Sequence, residues 1–143
     1  MVDGAQANKF LNDLKTILNT WSTTDFGSKP DIDIVQDVKV HGYGQAKDEN
    51  VLIYVDSEKM ETYLGGLEWN SWLSATIEIG TNLDRTRFDK MVNSVVSLLK
   101  TNVKYTGYAY ILIKGYTDLS KDMRGAFRGI VDVQALKHEP AFP

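Results

Sequence analysis

Hydrophobic positions recur along the chain at two spacings, one typical of helices and one typical of strands. In residues 5–21, Phe10, Leu14 and Ile17 follow one another at three or four positions, and Trp21 continues the series. This spacing predicts an amphipathic helix. A longer stripe of the same kind runs through residues 85–101, and Asp84 before it is a suitable N-cap for a second helix. Each helix is apolar on one side, so we expect both to cover the same face of a sheet.

Five segments are predicted to be strands: residues 31–40, 51–55, 73–80, 108–116 and 126–136. In residues 73–80, apolar positions alternate with Ser74, Thr76 and Glu78, which predicts a strand with one solvated face. Residues 21–30 and 41–50 are polar and predict loops. Residues 56–72 are the least regular. Their charged positions predict a solvated turn or short helix, followed by a break at Gly65-Gly66.

The order of these elements is α-β-β-β-α-β-β, which is not the strict alternation of a parallel α/β fold. It predicts an α+β fold, with a mostly antiparallel mixed sheet covered on one face by two helices. The 143 residues suit one domain, which we place at residues 1–137. Residues 138–143 contain two prolines and predict a C-terminal arm.

Composition and charge exclude several classes of protein. The chain has no cysteine, so disulfides, cysteine-based zinc sites and thiol catalysis are excluded. The longest apolar runs are far too short to span a bilayer, and no secretory signal is visible, so no membrane partner is expected. Residues 1–69 carry 12 acidic and 6 basic residues, whereas residues 70–143 carry 7 and 10. This imbalance indicates either two electrically different faces or a chance fluctuation in a short chain.

A search for catalytic chemistry finds one candidate, a weak one. His41 and His138 lack partners at ligand spacing, so neither a metal nor a cofactor is predicted. Asp31 and Asp33 follow a Gly-Ser pair, as in the small nucleotidyltransferase signature, where two carboxylates on one strand hold magnesium. In that family, the spacer between the Gly-Ser pair and the two acids is much longer than the two residues found here, Lys29-Pro30. The simpler interpretation is a solvated strand face whose acids alternate with core residues.

Basic and aromatic clusters are candidates for interaction surfaces. Arg85 and Arg87 lie in the first turns of the second helix, and Arg124 and Arg128 lie around the last turn. No nucleic-acid docking motif accompanies these arginines, so sequence-specific binding is not predicted. Tyr63, Trp69 and Trp72 surround the glycine break and belong either to a satellite core or to a protein interface.

The chain resembles the tail terminator, or tail-completion, proteins of tailed viruses and prophages. The resemblance rests on chain length, on element order and on several short segments with a similar residue pattern, and it covers nearly the whole chain. A strand at residues 75–81 runs almost directly into the charged helix opening at residues 84–88. Gly107-Tyr108-Ala109-Tyr110, the turn at residues 117–120 and the strand segment at residues 130–133 follow in the family's order. The family has no catalytic residues to carry over, so the resemblance implies that the chain is not an enzyme.

The resemblance implies a structural protein of the virion, located at the junction of tail and head and in the host cytoplasm before assembly. Copies are expected to form a homo-oligomer, a hexameric ring that caps the tail tube protein and meets the head–tail connector or neck protein. DNA would pass through the ring without specific binding, with Glu78 and Asp132 facing the lumen. The expected interface residues are Tyr43, Tyr63, Trp69, Trp72, Arg85, Arg87, Arg124, Arg128 and His138.

Three alternatives stay open from the sequence. The chain fits a head–tail joining protein, which has a related shape. It also fits a small nucleotidyltransferase-like enzyme using Asp31 and Asp33, or a generic ligand-binding α+β domain with an aromatic pocket around Trp69 and Trp72.

Overall fold

The computed structural model describes residues 4–35, 49–63, 68–120 and 126–140. These residues form an α+β fold with three helices and one mixed five-stranded sheet. The α+β class and the mixed sheet agree with the prediction, whereas only two of the three helices were predicted. In chain order the elements are α1 (Gly4–Leu18), α2 (Thr23–Phe26), β1 (Asp31–Ile34), β2 (Glu49–Tyr63), β3 (Glu68–Thr81), α3 (Arg85–Thr101), β4 (Tyr110–Asp118) and β5 (Phe127–Pro140).

The strands lie side by side in the order β1-β2-β3-β5-β4. β1 runs parallel to β2, and every other neighbouring pair is antiparallel. β3 lies at the centre and pairs along its whole length with β5, and from end to end with β2 apart from one bulge. β1 and β4 are shorter and cover only part of their neighbours, so the sheet is widest in the middle and narrows toward one end.

The hydrophobic core lies between the sheet and the two long helices. α1 contacts β1, β2 and β3, while α3 contacts β3, β4 and β5. Alternation along β3 directs Leu73, Ala75, Ile77 and Ile79 to this side, and all four are fully buried. Since one face of the sheet meets both helices, the predicted one-sided helical layer is confirmed for these two elements.

Helix α3 forms where the sequence predicts it. The Asp84 side chain accepts a hydrogen bond from the Arg87 N–H at 2.7 Å, which satisfies one of the free donors of the first turn. Its apolar stripe is buried against the sheet, with Phe88, Met91 and Val95 fully enclosed. Helix α1 ends at Leu18, so Trp21 lies beyond it, although the indole is buried in the same core.

Several predicted boundaries are wrong. The predicted loop at residues 21–30 contains the short helix α2, whose Ser22 hydroxyl accepts from the Asp25 N–H. The predicted turn or helix after residue 55 is instead a continuation of β2 to Tyr63. β1 ends at Ile34, and residues 36–40 of the predicted strand lie outside the described residues. β5 continues to Pro140, so the first three residues of the expected C-terminal arm belong to a strand.

The face of the sheet opposite the helices is not solvated throughout. Register places Asn50, Gly80 and Arg128 in one row, and Leu52, Glu78 and Ile130 in the next. Glu78 is only 4% exposed, so the prediction of a solvated strand face is wrong at this residue. Alternation identifies which residues share a face but not what lies against that face.

We expect a methyl group at Gly129 to disturb the contact between β5 and α3. A Cβ there would lie 2.9 Å from Cζ of the buried Phe88 ring and 3.0 Å from Cε1 of Tyr116. Gly129→Ala should therefore lower the free energy of unfolding by about 1–3 kcal/mol, as overpacked cores do. The control is Gly115→Ala, where a Cβ meets nothing within 4 Å.

Urea unfolding of the two variants measures this difference. Gly115→Ala should stay within about 0.5 kcal/mol of the natural chain. Equal losses of stability in both variants would contradict the packing described for Gly129.

Candidate functional site

Among the residues that the structure describes, three strands extend past the rest of the sheet at one end. The last β1 pair joins Ile34 to Ile53, and the last β4 pair joins Tyr110 to Leu136. Beyond them, residues 60–63, 68–71 and 137–140 pair with one another and with no other described strand. We call these residues the three-stranded end. At about 3.3 Å per residue, it extends roughly 13 Å past the rest of the sheet.

The three-stranded end brings together interface candidates that are far apart in sequence. Tyr63 pairs with Glu68 at the end of β2, and Trp69 lies opposite Glu139 of β5. His138 is paired with Asn70. The register thus gathers three of the nine expected interface residues at one end of the molecule. Tyr43 and Arg124 lie outside the described residues.

A row of partly exposed apolar residues crosses the sheet where the three-stranded end joins the rest of it, and we call this position the base of the three-stranded end. Register aligns Trp72, Leu136 and Tyr110 across three strands, and the Trp72 and Tyr110 rings meet edge to face at 6.4 Å. Leu112, two residues along β4, is 40% exposed. Trp72 is therefore half-buried by its neighbours, and its expected role in an interface stays a prediction.

Arg87 joins three separate parts of the chain. Its guanidinium donates to both carboxylate oxygens of Glu49, at 2.6 and 3.0 Å, and to the backbone oxygens of Phe26 and Ser28 at 3.1 and 2.6 Å. The Thr81 hydroxyl donates to the same Glu49 carboxylate at 2.9 Å. These contacts tie α3 to the segment after α2 and to the start of β2.

The hydrogen bonds and the partial burial of this ion pair both affect the pKa of Glu49. The Arg87 and Glu49 side chains are 11% and 19% exposed. Hydrogen bonding from Arg87 holds the pKa of the Glu49 carboxyl below its ordinary value, since it outweighs the opposing effect of burial. Arg87 was predicted to be an interface residue, but its donors are engaged within its own chain. Its contacts favour a structural role.

Arg85 points outward, unlike Arg87. It forms ion pairs with Asp118 at 2.8 Å and Asp89 at 3.1 Å, and its guanidinium lies 5.3 Å from the centre of the Phe88 ring. The Arg85 side chain is 53% exposed. It therefore remains accessible beside the end of β4, where a partner would meet both its charge and that of Asp118.

Arg128 lies flat against the sheet. Its side chain crosses Gly80 on the neighbouring strand, and a Cβ at Gly80 would lie 1.9 Å from Nη1 of Arg128. Arg128 is 4% exposed, so little of its surface is available for the expected interface. Of the two expected lumen residues, Asp132 is exposed and accepts from the Thr76 hydroxyl at 3.4 Å, whereas Glu78 is buried.

The sheet order turns the charge imbalance of the sequence into a spatial one. Residues 1–69 contribute α1, α2, β1 and β2, which form one side of the sheet, and later residues contribute α3, β5 and β4 on the other side. β1 and β2 carry six carboxylates and one lysine. α3 carries four basic residues and one aspartate. Four exposed lysines that form no ion pair with the described residues lie on this second side, at Lys90, Lys100, Lys104 and Lys114, against one on the first side, Lys29.

The enzymatic candidates do not converge with other ligands in the described part of the chain. Asp31 and Asp33 lie on β1, beside Asn50 and Leu52. No group of three or more His, Asp or Glu suited to a metal ion occurs among residues 4–35, 49–63, 68–120 and 126–140. A cavity of about 360 Å³ opens at the start of α3, and its wall includes Arg87, Lys90 and Asp84.

Some contacts that shape the site have no signal in the sequence. The Tyr108 hydroxyl donates to Asp13 at 2.6 Å and so joins α1 to the start of β4, and burial raises the pKa of this phenol above its ordinary value. Glu49 and Lys114 were likewise not singled out. Their roles depend on partners brought near by strand order, not on local spacing.

Comparison with known proteins adds no relative. No protein-family model matches the chain, and no curated protein matches it. Among the described residues, none of the helices combines the length and the apolar character needed to cross a bilayer.

The two neighbouring arginines of α3 should differ sharply when removed. Arg87→Ala leaves Glu49 partly buried without its cation, so we expect a loss of roughly 2–4 kcal/mol in unfolding free energy. Arg85→Ala breaks exposed ion pairs and should cost less than about 1 kcal/mol. Chemical denaturation of both variants measures the contrast, and equal losses would contradict the separate roles given to Arg85 and Arg87.

Proposed function

We propose that this chain is a structural protein of a tailed virus or prophage that closes the tail tube as a ring of six copies. The observation that carries the proposal is the division of charge across the sheet, with carboxylates on β1 and β2 and lysines on the side of α3 and β4. A ring needs two different, complementary surfaces on each copy. A polarised sheet supplies such a pair, because the acidic side of one copy attracts the basic side of the next.

The three-stranded end supports the second part of the proposal, contact with the tail tube or the head–tail connector. It lies at one end of the strands, whereas the charged surfaces lie at the two sides of the sheet. Contacts between copies and contacts with other virion proteins therefore use different parts of the molecule. Trp69 and Trp72 belong to this end and its base, and aromatic residues of this kind commonly anchor protein interfaces.

The proposed lumen differs from the one expected from the sequence. Asp132 remains a candidate to face passing DNA, since it is exposed on the face of the sheet opposite the helices. Glu78 does not, since it is buried. Carboxylates in the lumen would repel phosphate and prevent specific binding of DNA during its passage.

Native mass spectrometry over a concentration series tests the proposal. We expect oligomers up to the hexamer at high protein concentration, and a shift toward monomer as ionic strength rises, because salt screens exposed charges. Electron microscopy of the same samples should show closed rings. A chain that stays monomeric at every concentration and salt would overturn the proposal.

A further inference from the structure

Three exposed lysines lie close together where α3 ends beside β4. Lys100 is on the last turn of α3, and Lys104 follows just after the helix. The Ile111 N–H donates to the Val103 oxygen at 2.9 Å, which brings this segment beside the start of β4. Lys114 lies further along β4, roughly 10 Å from Ile111 at about 3.3 Å per residue. We call Lys100, Lys104 and Lys114 the basic patch.

The basic patch keeps a positive charge, because few carboxylates lie near it. Its three lysines form no ion pair with the described residues. Asp89 and Asp118 are the only acidic residues of α3 and β4, and Arg85 binds both of them. On β5, Asp132 lies opposite Gly115. Among the described residues of α3, β4 and the facing part of β5, three lysines are thus accompanied by one other carboxylate.

The strand at the opposite edge of the described sheet is acidic. β1 and β4 are its two outermost strands, and β1 has the sequence Asp-Ile-Asp-Ile, with no basic residue. Asp31 is exposed and Asp33 is partly exposed. Two copies that met through the same side would bring like charges together. The basic patch of one copy and β1 of the next carry opposite charges, so they attract each other.

Contact at the β4 side is expected to use side chains and not strand pairing. Lys114 lies at the middle of β4, and the strand bulges between Ile113 and Gly115. A lysine and a bulge on an outermost strand both oppose pairing with a strand of another chain. Salt bridges need neither a regular strand edge nor free backbone groups, so these features leave the basic patch able to bind.

We propose that the basic patch of one copy binds Asp31 and Asp33 of the next copy, so that copies join head to tail through opposite sides of the sheet. The contact rests on the self-assembly proposed above and names the residues that carry it. Because the two surfaces differ, the contact is heterologous and repeats from copy to copy until the rotation closes a ring.

Two single variants on one helix test the basic patch in the full chain. Lys100→Glu should raise the dissociation constant for self-association about tenfold, because attraction across the contact becomes repulsion. Lys90→Glu is the matched control. Lys90 is exposed on the same helix and equally unpaired, but it lies about 15 Å before Lys100 along α3 and lines the cavity beside Gly27 and Ser28. Its variant should stay within about twofold of the natural chain.

A charge swap tests the partner surface. The double variant Lys100→Glu/Lys104→Glu makes the basic patch acidic, and the double variant Asp31→Lys/Asp33→Lys makes β1 basic. Each double variant alone should lose association, since both of its sides then carry the same sign of charge. In an equimolar mixture the two should associate again and alternate around the ring, because every contact then joins opposite charges.

Sedimentation equilibrium measures the dissociation constants, native mass spectrometry gives the composition of mixed rings, and circular dichroism confirms that each variant is folded. Weaker association of Lys100→Glu than of Lys90→Glu, with equal numbers of the two double variants in mixed rings, would support the contact. If the natural chain associates but these two single variants behave alike, or if the mixture stays dissociated, the contact is wrong while the ring stands. A natural chain that never associates contradicts both.

Discussion

The pairing of β3 with two neighbours over its whole length is the constraint on which the rest of the structure depends. Because β2 and β5 both follow β3 from end to end, the sheet outgrows β1 and β4 and leaves a three-stranded end. The same pairing sets the order β1-β2-β3-β5-β4, which keeps the first half of the chain on one side and the second half on the other. The division of charge across the sheet and the three-stranded end thus both follow from the pairing of β3.

The ion pair of Arg87 and Glu49 holds the helical layer to this sheet. It joins the start of α3 to the start of β2, two segments that β3 separates along the chain. The backbone oxygens of Phe26 and Ser28 complete the set of acceptors and attach the segment after α2.

The fold class could be predicted from the sequence, because the strongest patterns come from fully buried elements. The core contains Val95 and its neighbours on α3 together with the alternating residues of β3. The helical spacing of hydrophobic residues in α3 and the strand alternation in β3 are therefore uninterrupted in the sequence. β2 was predicted far too short for a physical reason. Its register shifts between Val55 and Ser57, which interrupts the alternation, and charged residues follow directly. A bulged, charged strand resembles a solvated turn when only its sequence is considered.

The site was less predictable, because it depends on partners far apart in the chain. Arg85 and Arg87 are two residues apart on one helix, yet one is exposed and the other is bound by Glu49. Nothing local distinguishes them. Glu78 was expected to be solvated because it alternates with core residues, but alternation gives no information about the second face of a sheet. Trp69 and Trp72 both lie on β3, after the glycine break, and their expected role in an interface stays a prediction.

Sedimentation velocity at low and high ionic strength tests most directly whether copies associate through the oppositely charged sides of the sheet. We expect oligomers at low ionic strength and a shift toward monomer as ionic strength rises, because salt screens exposed charges. A chain that stays monomeric at every protein concentration and ionic strength would contradict the account.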